Sequence, residues 1–568
     1  MIEEKLLLNW VHSVERKNFT DLKKANKVFH MSNISAKPNF LIFITDQHRA
    51  DHLGCYGNDI VQTPNIDSIA NHGTRFDKFF VACPICMPNR ATLMTGRMPS
   101  LHGVRQNGIA LSFQEVTFTE LMLNAGYRTA LVGKSHLQGM SATPVEIGLP
   151  KQDLNKIQPH DDLAEAKRHR WSDGCYEQEL KTTWSRDPEF EPVTPFYGFE
   201  HLALAVGHSD RVWGHYSKWL EERYPNSDSL RGPSNAIPSN RKIIAPQAWR
   251  TAIPEELYPT SFIAEETVNY LSEHATSHPD KPFILQCSFG DPHHPFTPPG
   301  KYFDMYDPDE VPLPHAYNHP PKNWPPQLAA ILQEREAGKG NKTGQRAFGV
   351  SEAEVRDAIA LNYGSITMID DAIGQVLAAL KKNGLAQNTV IIFTTDHGDF
   401  MGDHQLLLKA ALHYQGLIRV PCILSDPSEA NAPKSSAGYS GTIDLAGTIL
   451  ARAGIQPFNG LQSKSLFDIA RGKNGREAIL IEESQRRGYM GFGNNFKART
   501  LLHDDWRLTK YSNTGWGEIY NLKNDPNEFV NLWDEPDYAK KKSDLLELMV
   551  NEIMDLSEMS PAANTHGP

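Results

Sequence analysis

The apolar positions of this chain come in blocks, and the period of the blocks changes along it. Asn39–Thr45 reads Asn-Phe-Leu-Ile-Phe-Ile-Thr, a near-continuous apolar run. Such a run predicts a strand buried on both faces of a parallel sheet. Runs of the same kind over 74–81, 127–132, 283–289, 389–395 and 419–424 predict further strands. Between them lie stretches with helical spacing. One opens at Thr63-Pro64, one covers 114–125 and stops at Gly126, and one covers 259–276. A long one covers 362–380 and ends at Asn383-Gly384, and another covers 442–453. Strands alternating with helices predict an α/β domain.

From about residue 460 the pattern shifts to short strands near 478–483, 495–503, 506–511 and 518–521, followed by a charged helix over 536–555. The expected fold class is therefore α/β, a three-layer α/β/α sandwich with a mostly parallel central sheet, plus a small C-terminal α+β domain. The expected boundaries are an N-terminal extension over 1–36, a large domain over 37–458, and a small domain over 459–568 with an antiparallel sheet and a terminal helix. Residues 137–250 are the least regular part and are expected to form an insertion over the sheet edge that shapes a pocket. Residues 298–350 are rich in proline, and the last dozen residues are expected to be loose.

Composition narrows the class. The 568 residues carry a net charge of -11, which argues against a general nucleic-acid binder. No apolar run reaches the length of a membrane span, and the acidic start does not read as a signal peptide, so a cytoplasmic location is expected. Six scattered cysteines do not make a disulfide framework. Cys83 and Cys86 form a C-x-x-C pair, which leaves a redox or metal dithiol open.

Candidate chemistry gathers where strands are predicted to end. Asp46-Gln47 follows the first run, Gly133-Lys134-Ser135-His136 follows another, and Asp291-Pro292-His293-His294 a third. Asp396-His397-Gly398-Asp399, with Gly402-Asp403-His404 soon after, reads as a metal site. The carboxyl ends of parallel strands are where α/β proteins place their sites. Cys86 stands four residues before Arg90 with Pro88 between, a proline suited to a first helical turn. A helix start there, beside an arginine, favours an anion. On spacing alone, Lys134 and His136 could equally belong to a solvated loop. His201, His208 and His215 could line a pocket or only satisfy local hydrogen bonds.

Taken together, Cys86-Met-Pro-Asn-Arg90 followed by Ala-Thr-Leu-Met-Thr-Gly96 resembles the signature of the type I sulfatases of the alkaline phosphatase superfamily. The resemblance runs from about Pro38 to Leu532, through Thr45-Asp46, Gly133 to His136, Pro292 to Phe296, Thr395 to Asp399 and Arg419-Val-Pro421, to Asp525-Pro526. The pairs Asp46-Gln47 and Asp396-His397 resemble the branch of phosphonate monoester hydrolases and choline sulfatases. The resemblance implies that Cys86 is oxidised to Cα-formylglycine, whose hydrate is the nucleophile. It implies one divalent metal ion, calcium or manganese, held by Asp46, Gln47, Asp396, His397 and the modified Cys86. It places Arg90, Lys134, His136, His293 and Lys409 around the reacting group. The implied partners are a small anionic ester, a formylglycine-generating enzyme during maturation, and a second copy in a dimer or tetramer. No nucleic acid and no membrane is expected. The implied activity is sulfate ester hydrolysis, with phosphonate monoester or phosphodiester hydrolysis as the alternative. A two-zinc phosphatase is disfavoured because no second complete ligand set is evident. Asn89 stands where the commonest signature has serine.

Overall fold

The computed structural model describes residues 37–141, 174–318, 322–485 and 496–560. The expected extension over 1–36, residues 142–173 of the expected insertion, and the last eight of the dozen residues expected to be loose lie outside these. The first four of that dozen are tied down, with Glu558 paired to Arg97 and Ser560 bonded to Asn459.

In chain order the large sheet is built from β1 (Asn39–Thr45), β2 (Thr74–Phe76), β3 (Arg128–Gly133), β4 (His201–His208), β5 (Arg211–Gly214), β6 (Phe283–Ser288), β7 (Thr389–Thr395), β8 (Cys422–Ser425) and β9 (Ser435–Ser436). The spatial order is β9-β2-β8-β7-β1-β6-β3-β4-β5. The five inner strands from β7 to β4 are all parallel, and β8 and β5 run antiparallel beside them. The sequence stretch read as an irregular insertion thus supplies two strands of the main sheet. Its alternation is short and broken by glycine at 207 and 214, which hides it from a periodicity reading.

Side chains of β1 alternate between two cores. Phe40, Ile42 and Ile44 join one apolar cluster, while Leu41 and Phe43 join the other. Helices cover both faces. The first cluster takes residues from α2 (Cys86–Thr95), α3 (Phe118–Asn124) and α6 (Asp444–Arg452). The second takes residues from α1 (Pro64–Asn71), α4 (Pro259–Ser277) and α5 (Glu352–Lys382). A strand that must bury both faces needs a helix layer on each, and that produces the three layers. Helix α5 starts ten residues before the expected 362. Ser351 and Glu354 form a reciprocal capping box there, a start signal separate from the apolar stripe.

The chain closes with an antiparallel sheet of β10 (Ile479–Gln485), β11 (Phe496–His503), β12 (Trp506–Tyr511) and β13 (Gly517–Asn521), then α7 (Ala539–Asp555). Leu480, Leu501, Leu508 and Ile519 pack with Leu545 and Met549 of α7. No helix among the described residues is long and apolar enough to cross a membrane.

Candidate active site

Register builds the site. Thr45 of β1 stands opposite Thr395 of β7, so Asp46 and Asp396 leave the sheet side by side. Gly133 of β3 stands opposite Ser288 of β6, which puts Lys134 at the same edge. Gly133 has φ of 103°, and a Cβ there would lie 1.9 Å from the Ser288 carbonyl oxygen. Only glycine allows that approach. Gln47, one residue after Asp46, and His136, two after Lys134, both have left-handed backbone conformations.

Helix α2 begins at Cys86 and is buried along its whole length. Its first turn aims Cys86 at the gap between Asp46 and Asp396. Cys86 Sγ lies 3.0 Å from His397 Nε2 and 3.1 Å from Lys409 Nζ. One turn on, Arg90 donates Nε to Asp396 Oδ2 at 2.7 Å and Nη2 to Asp46 Oδ2 at 3.3 Å. Its Nη1 reaches the Lys134 carbonyl at 3.1 Å and Ser288 Oγ at 3.0 Å. Arg90 therefore ties α2 to four strand ends. Lys134 Nζ pairs with Asp46 Oδ2 and lies 2.7 Å from His208 Nε2.

Asp46, Cys86, Asp396 and His397 each present one donor atom, and all four atoms lie within 4.8 Å of one another. Two further observations fit these residues to a divalent cation. Asp46 Oδ1 is buried without a hydrogen-bond partner, a costly state for a carboxylate oxygen. His397 Nδ1 lies 2.8 Å from the Gly398 carbonyl, which only accepts, so Nδ1 carries the proton and Nε2 presents its lone pair to the cluster. Gln47 points its Oε1 inward, 3.3 Å from Lys409 Nζ, while its Nε2 donates to Asp399 Oδ2. Asp399 fixes the amide's orientation.

Charge is balanced within the site. Burial works against ionisation of Asp46, but Lys134 and Arg90 among its neighbours outweigh it and hold the carboxyl well below the usual range. Burial would likewise neutralise Lys409, yet Cys86, Asp46 and Asp396 keep it cationic. Burial also raises the Cys86 thiol, and Lys409 is the main group that brings it back below its ordinary value. His293 is driven neutral, first by burial and then by its histidine neighbours. Its Nδ1 faces the His294 carbonyl, leaving Nε2 3.4 Å from Lys409 Nζ.

The expected site residues are thus joined by direct contacts, with one exception. His136 sits at the edge, held by its backbone N–H on Glu179 Oε1 at 2.6 Å, and its Nδ1 is buried without a partner. Cys83 is buried, and burial pushes its thiol well above the ordinary value. The sulfur of Cys86 meets Lys409 and His397. His208, left open by sequence, stacks on His293 with ring centroids 3.8 Å apart and forms a second donor group with Asp46 and His293. It stands at the carboxyl end of β4, a strand the sequence did not reveal, so no signal for it was available. His201 and His215 do not reach these groups. His215 bonds Glu191 and the Leu204 backbone, and His201 packs on Tyr270. One residue, Glu179, escaped sequence reasoning, and Asn89 is read there only as a departure from the signature. Glu179 accepts from the backbone of His136 and Gln138. Asn89 holds the Asp396 carbonyl through Nδ2, while its Oδ1 accepts from the Ala82 N–H and the Thr442 hydroxyl. The unusual residue in the signature is therefore fully used.

Comparison with known proteins bears on family and fold. A family model described as sulfatase matches residues 38–455. A second, described as the C-terminal part of N-sulphoglucosamine sulphohydrolase, matches residues 402–555. An arylsulfatase of Clostridium perfringens is 27% identical over 525 residues, covering 91% of this chain and 94% of that protein. The multifunctional alkaline phosphatase superfamily protein PehA of Trinickia caryophylli is 26% identical, covering 89% of this chain and 92% of its own. The crystal structure of a phosphonate monoester hydrolase of Agrobacterium radiobacter superposes with a TM-score of 0.70 at 23% identity, over 92% of this chain and 97% of that one. That last likeness speaks to the fold.

Proposed function

The chain belongs to the sulfatase family, and from that membership we propose that it hydrolyses sulfate esters with a formylglycine made from Cys86. The observation that carries the reading is the meeting of Asp46, Cys86, Asp396 and His397 within 4.8 Å, with Arg90 and Lys409 in contact with them. Oxidation of Cys86 requires dioxygen and a formylglycine-generating enzyme. The hydrated aldehyde supplies two geminal hydroxyls, one to attack sulfur and one to expel the sulfate from carbon afterwards, which regenerates the aldehyde.

Asp46, Gln47, Asp396 and His397 would hold a divalent cation beside residue 86. Such an ion supplies Lewis acidity at the ester oxygens and favours the ionised nucleophile. A mainly oxygen donor set with one imidazole suits manganese or calcium.

The chain's own residues do the rest. Arg90 bridges the two carboxylates, shares the balancing of their charge with Lys134, and holds the helix start in place. Lys409, in contact with residue 86, and Lys134, paired with Asp46, oppose the charge spread over the equatorial oxygens of the transferring group. Lys409, kept cationic, donates a proton to the leaving oxygen as the S–O bond breaks, and the unprotonated Nε2 of the neutral His293 lies beside its ammonium as an acceptor. His136 stands within the same buried edge as Lys134 and is the candidate to take the proton of the second hydroxyl.

A second reading is phosphonate monoester or phosphodiester hydrolysis at the same residues. It is favoured by Gln47 and His397, which occupy positions where many sulfatases have an acid and an asparagine. Sulfuryl and phosphoryl groups share tetrahedral shape. Matched aryl sulfate, phosphonate and phosphodiester substrates decide between them. The sulfate reading predicts the highest kcat/KM on the sulfate, and the lowest value there refutes it. Peptide mass across Cys86, in protein made with the converting enzyme, should show the aldehyde. A fully active protein with an intact thiol refutes both readings.

A further inference from the structure

The C-terminal sheet buries one apolar face on α7, but its other face carries polar groups. Thr500, Thr509 and Glu518 stand opposite one another across β11, β12 and β13. Thr500 Oγ1 lies 2.7 Å from Thr509 Oγ1. Arg507, on the same face of β12, donates to Thr509 Oγ1 at 2.8 Å and to Glu518 Oε2 at 3.1 Å, and it pairs with Glu528. Arg507, Thr500, Thr509 and Glu518 are 0% exposed. Replacing such a buried ionic row by apolar residues often costs nothing, so stability is a weak reason to keep it.

The row ends on one segment of the large domain, the one that follows Lys409. His413 Nδ1 lies 2.7 Å from Thr500 Oγ1, and its Nε2 lies 2.9 Å from Glu483 Oε2 on β10. The Gln415 N–H donates to Glu528 Oε2 at 2.8 Å. The Tyr511 hydroxyl lies 3.0 Å from the Ala411 carbonyl. Each of these bonds falls within six residues of Lys409. The catalytic side of the same segment is the Lys409 ammonium, set among Cys86, His397 and Gln47.

We propose that the polar face of the C-terminal sheet sets the position of Lys409, with His413 as the positioning residue that couples the two. The inference rests on the reading of Lys409 as the cation that meets the leaving oxygen. A lysine held on a four-carbon stem acts at a defined point only if its backbone is fixed. The segment from Ala410 to Gln415 is fixed from the small domain, which makes that domain part of the working site.

The test uses the full-length, metal-loaded, aldehyde-bearing enzyme and a series of aryl sulfates whose phenols differ in acidity. In Lys409→Ala, kcat/KM should fall most on the least acidic phenols. His413→Gln should steepen the same dependence, losing about tenfold on the least acidic phenol and under about threefold on the most acidic. In the Lys409→Ala background, His413→Gln should cost nothing further, because both remove one function. Losses of equal size across the series, or losses that multiply in the double variant, overturn the proposal while leaving the reading of Lys409 intact. An unchanged kcat/KM in Lys409→Ala overturns that reading and the proposal with it. Thr500→Val, which removes a hydroxyl and keeps the shape, should fold with a somewhat lower melting temperature and show the same change of slope. If His413→Gln does not fold, this variant decides alone.

Discussion

At the scale of single residues, the site is crowded enough that small changes have separable consequences. Asn89 makes three hydrogen bonds with buried partners, so Asn89→Ala leaves the Ala82 N–H, the Thr442 hydroxyl and the Asp396 carbonyl to find others. The expected loss is about 2 kcal/mol of stability, read by denaturant titration, with a lower kcat. Asn89→Ser should recover part of both. Glu179 gives a pH signature. Burial pushes its carboxyl from an ordinary 4.5 up to about 7, against the bonds it accepts from the His136 and Gln138 backbone. Between those values the folded chain binds more protons than the unfolded one, so stability falls as pH rises from 4.5 to about 7 and levels off above. Glu179→Gln removes this contribution. The stability advantage of the natural residue over the variant should therefore shrink across that window, measured by melting temperature at each pH. An advantage that grows with pH would contradict the burial argument.

At the scale of elements, the decisive property is where strands stop. β1 and β7 end in register, β3 and β6 end in register, and the reactive residues follow directly. The β3 stop depends on the close pass of Gly133 against Ser288, where a methyl group has no room. Gly133→Ala should cost about 3 kcal/mol through strain and displacement of backbone. It should also lower kcat/KM by moving Lys134, which no longer meets Asp46. An alanine variant with unchanged melting temperature and rate would show that the strand end is softer than its packing implies. Helix α2 behaves differently. Its length matters little, since Gly96 with φ of 64° stops it after ten residues, and its first turn alone places Cys86 and Arg90.

At the scale of the whole molecule, one sheet edge collects two carboxylates, a histidine, a lysine pair and an arginine from segments spread across the chain. The unpaired Asp46 oxygen and the close donors predict that the folded state is stabilised by a divalent cation. Manganese or calcium at a hundredfold excess over its Kd should add about 2.7 kcal/mol, seen as a rise in melting temperature over chelated protein. Asp396→Ala should abolish that rise. A rise that survives in the variant would place the cation elsewhere. The C-terminal sheet belongs to the same scale. It shares the first apolar core through Ile479, Ile481 and Leu502, and its polar face reaches the segment carrying Lys409.

The sequence by itself determined the strands β1, β2, β3, β6, β7 and β8 of the large domain with the helices between them, the mixed C-terminal domain and most of the candidate site. Those are local properties. A doubly buried strand must be largely apolar, and Asp46, Lys134, His293 and Asp396 each stand within four residues of the end of such a run. Tertiary structure decided what depends on residues far apart in the chain. Glu179 accepts from backbone N–H groups about forty residues away, and Asn89 reaches Asp396 across the sheet, contacts that leave no period or spacing to read. The strands at 201–208 and 211–214 were hidden for a related reason, because the pairing of the first with β3 and of the second with the first adds them to the sheet. The seat of His413 on Thr500 and Glu483 likewise exists only once two domains have folded against each other.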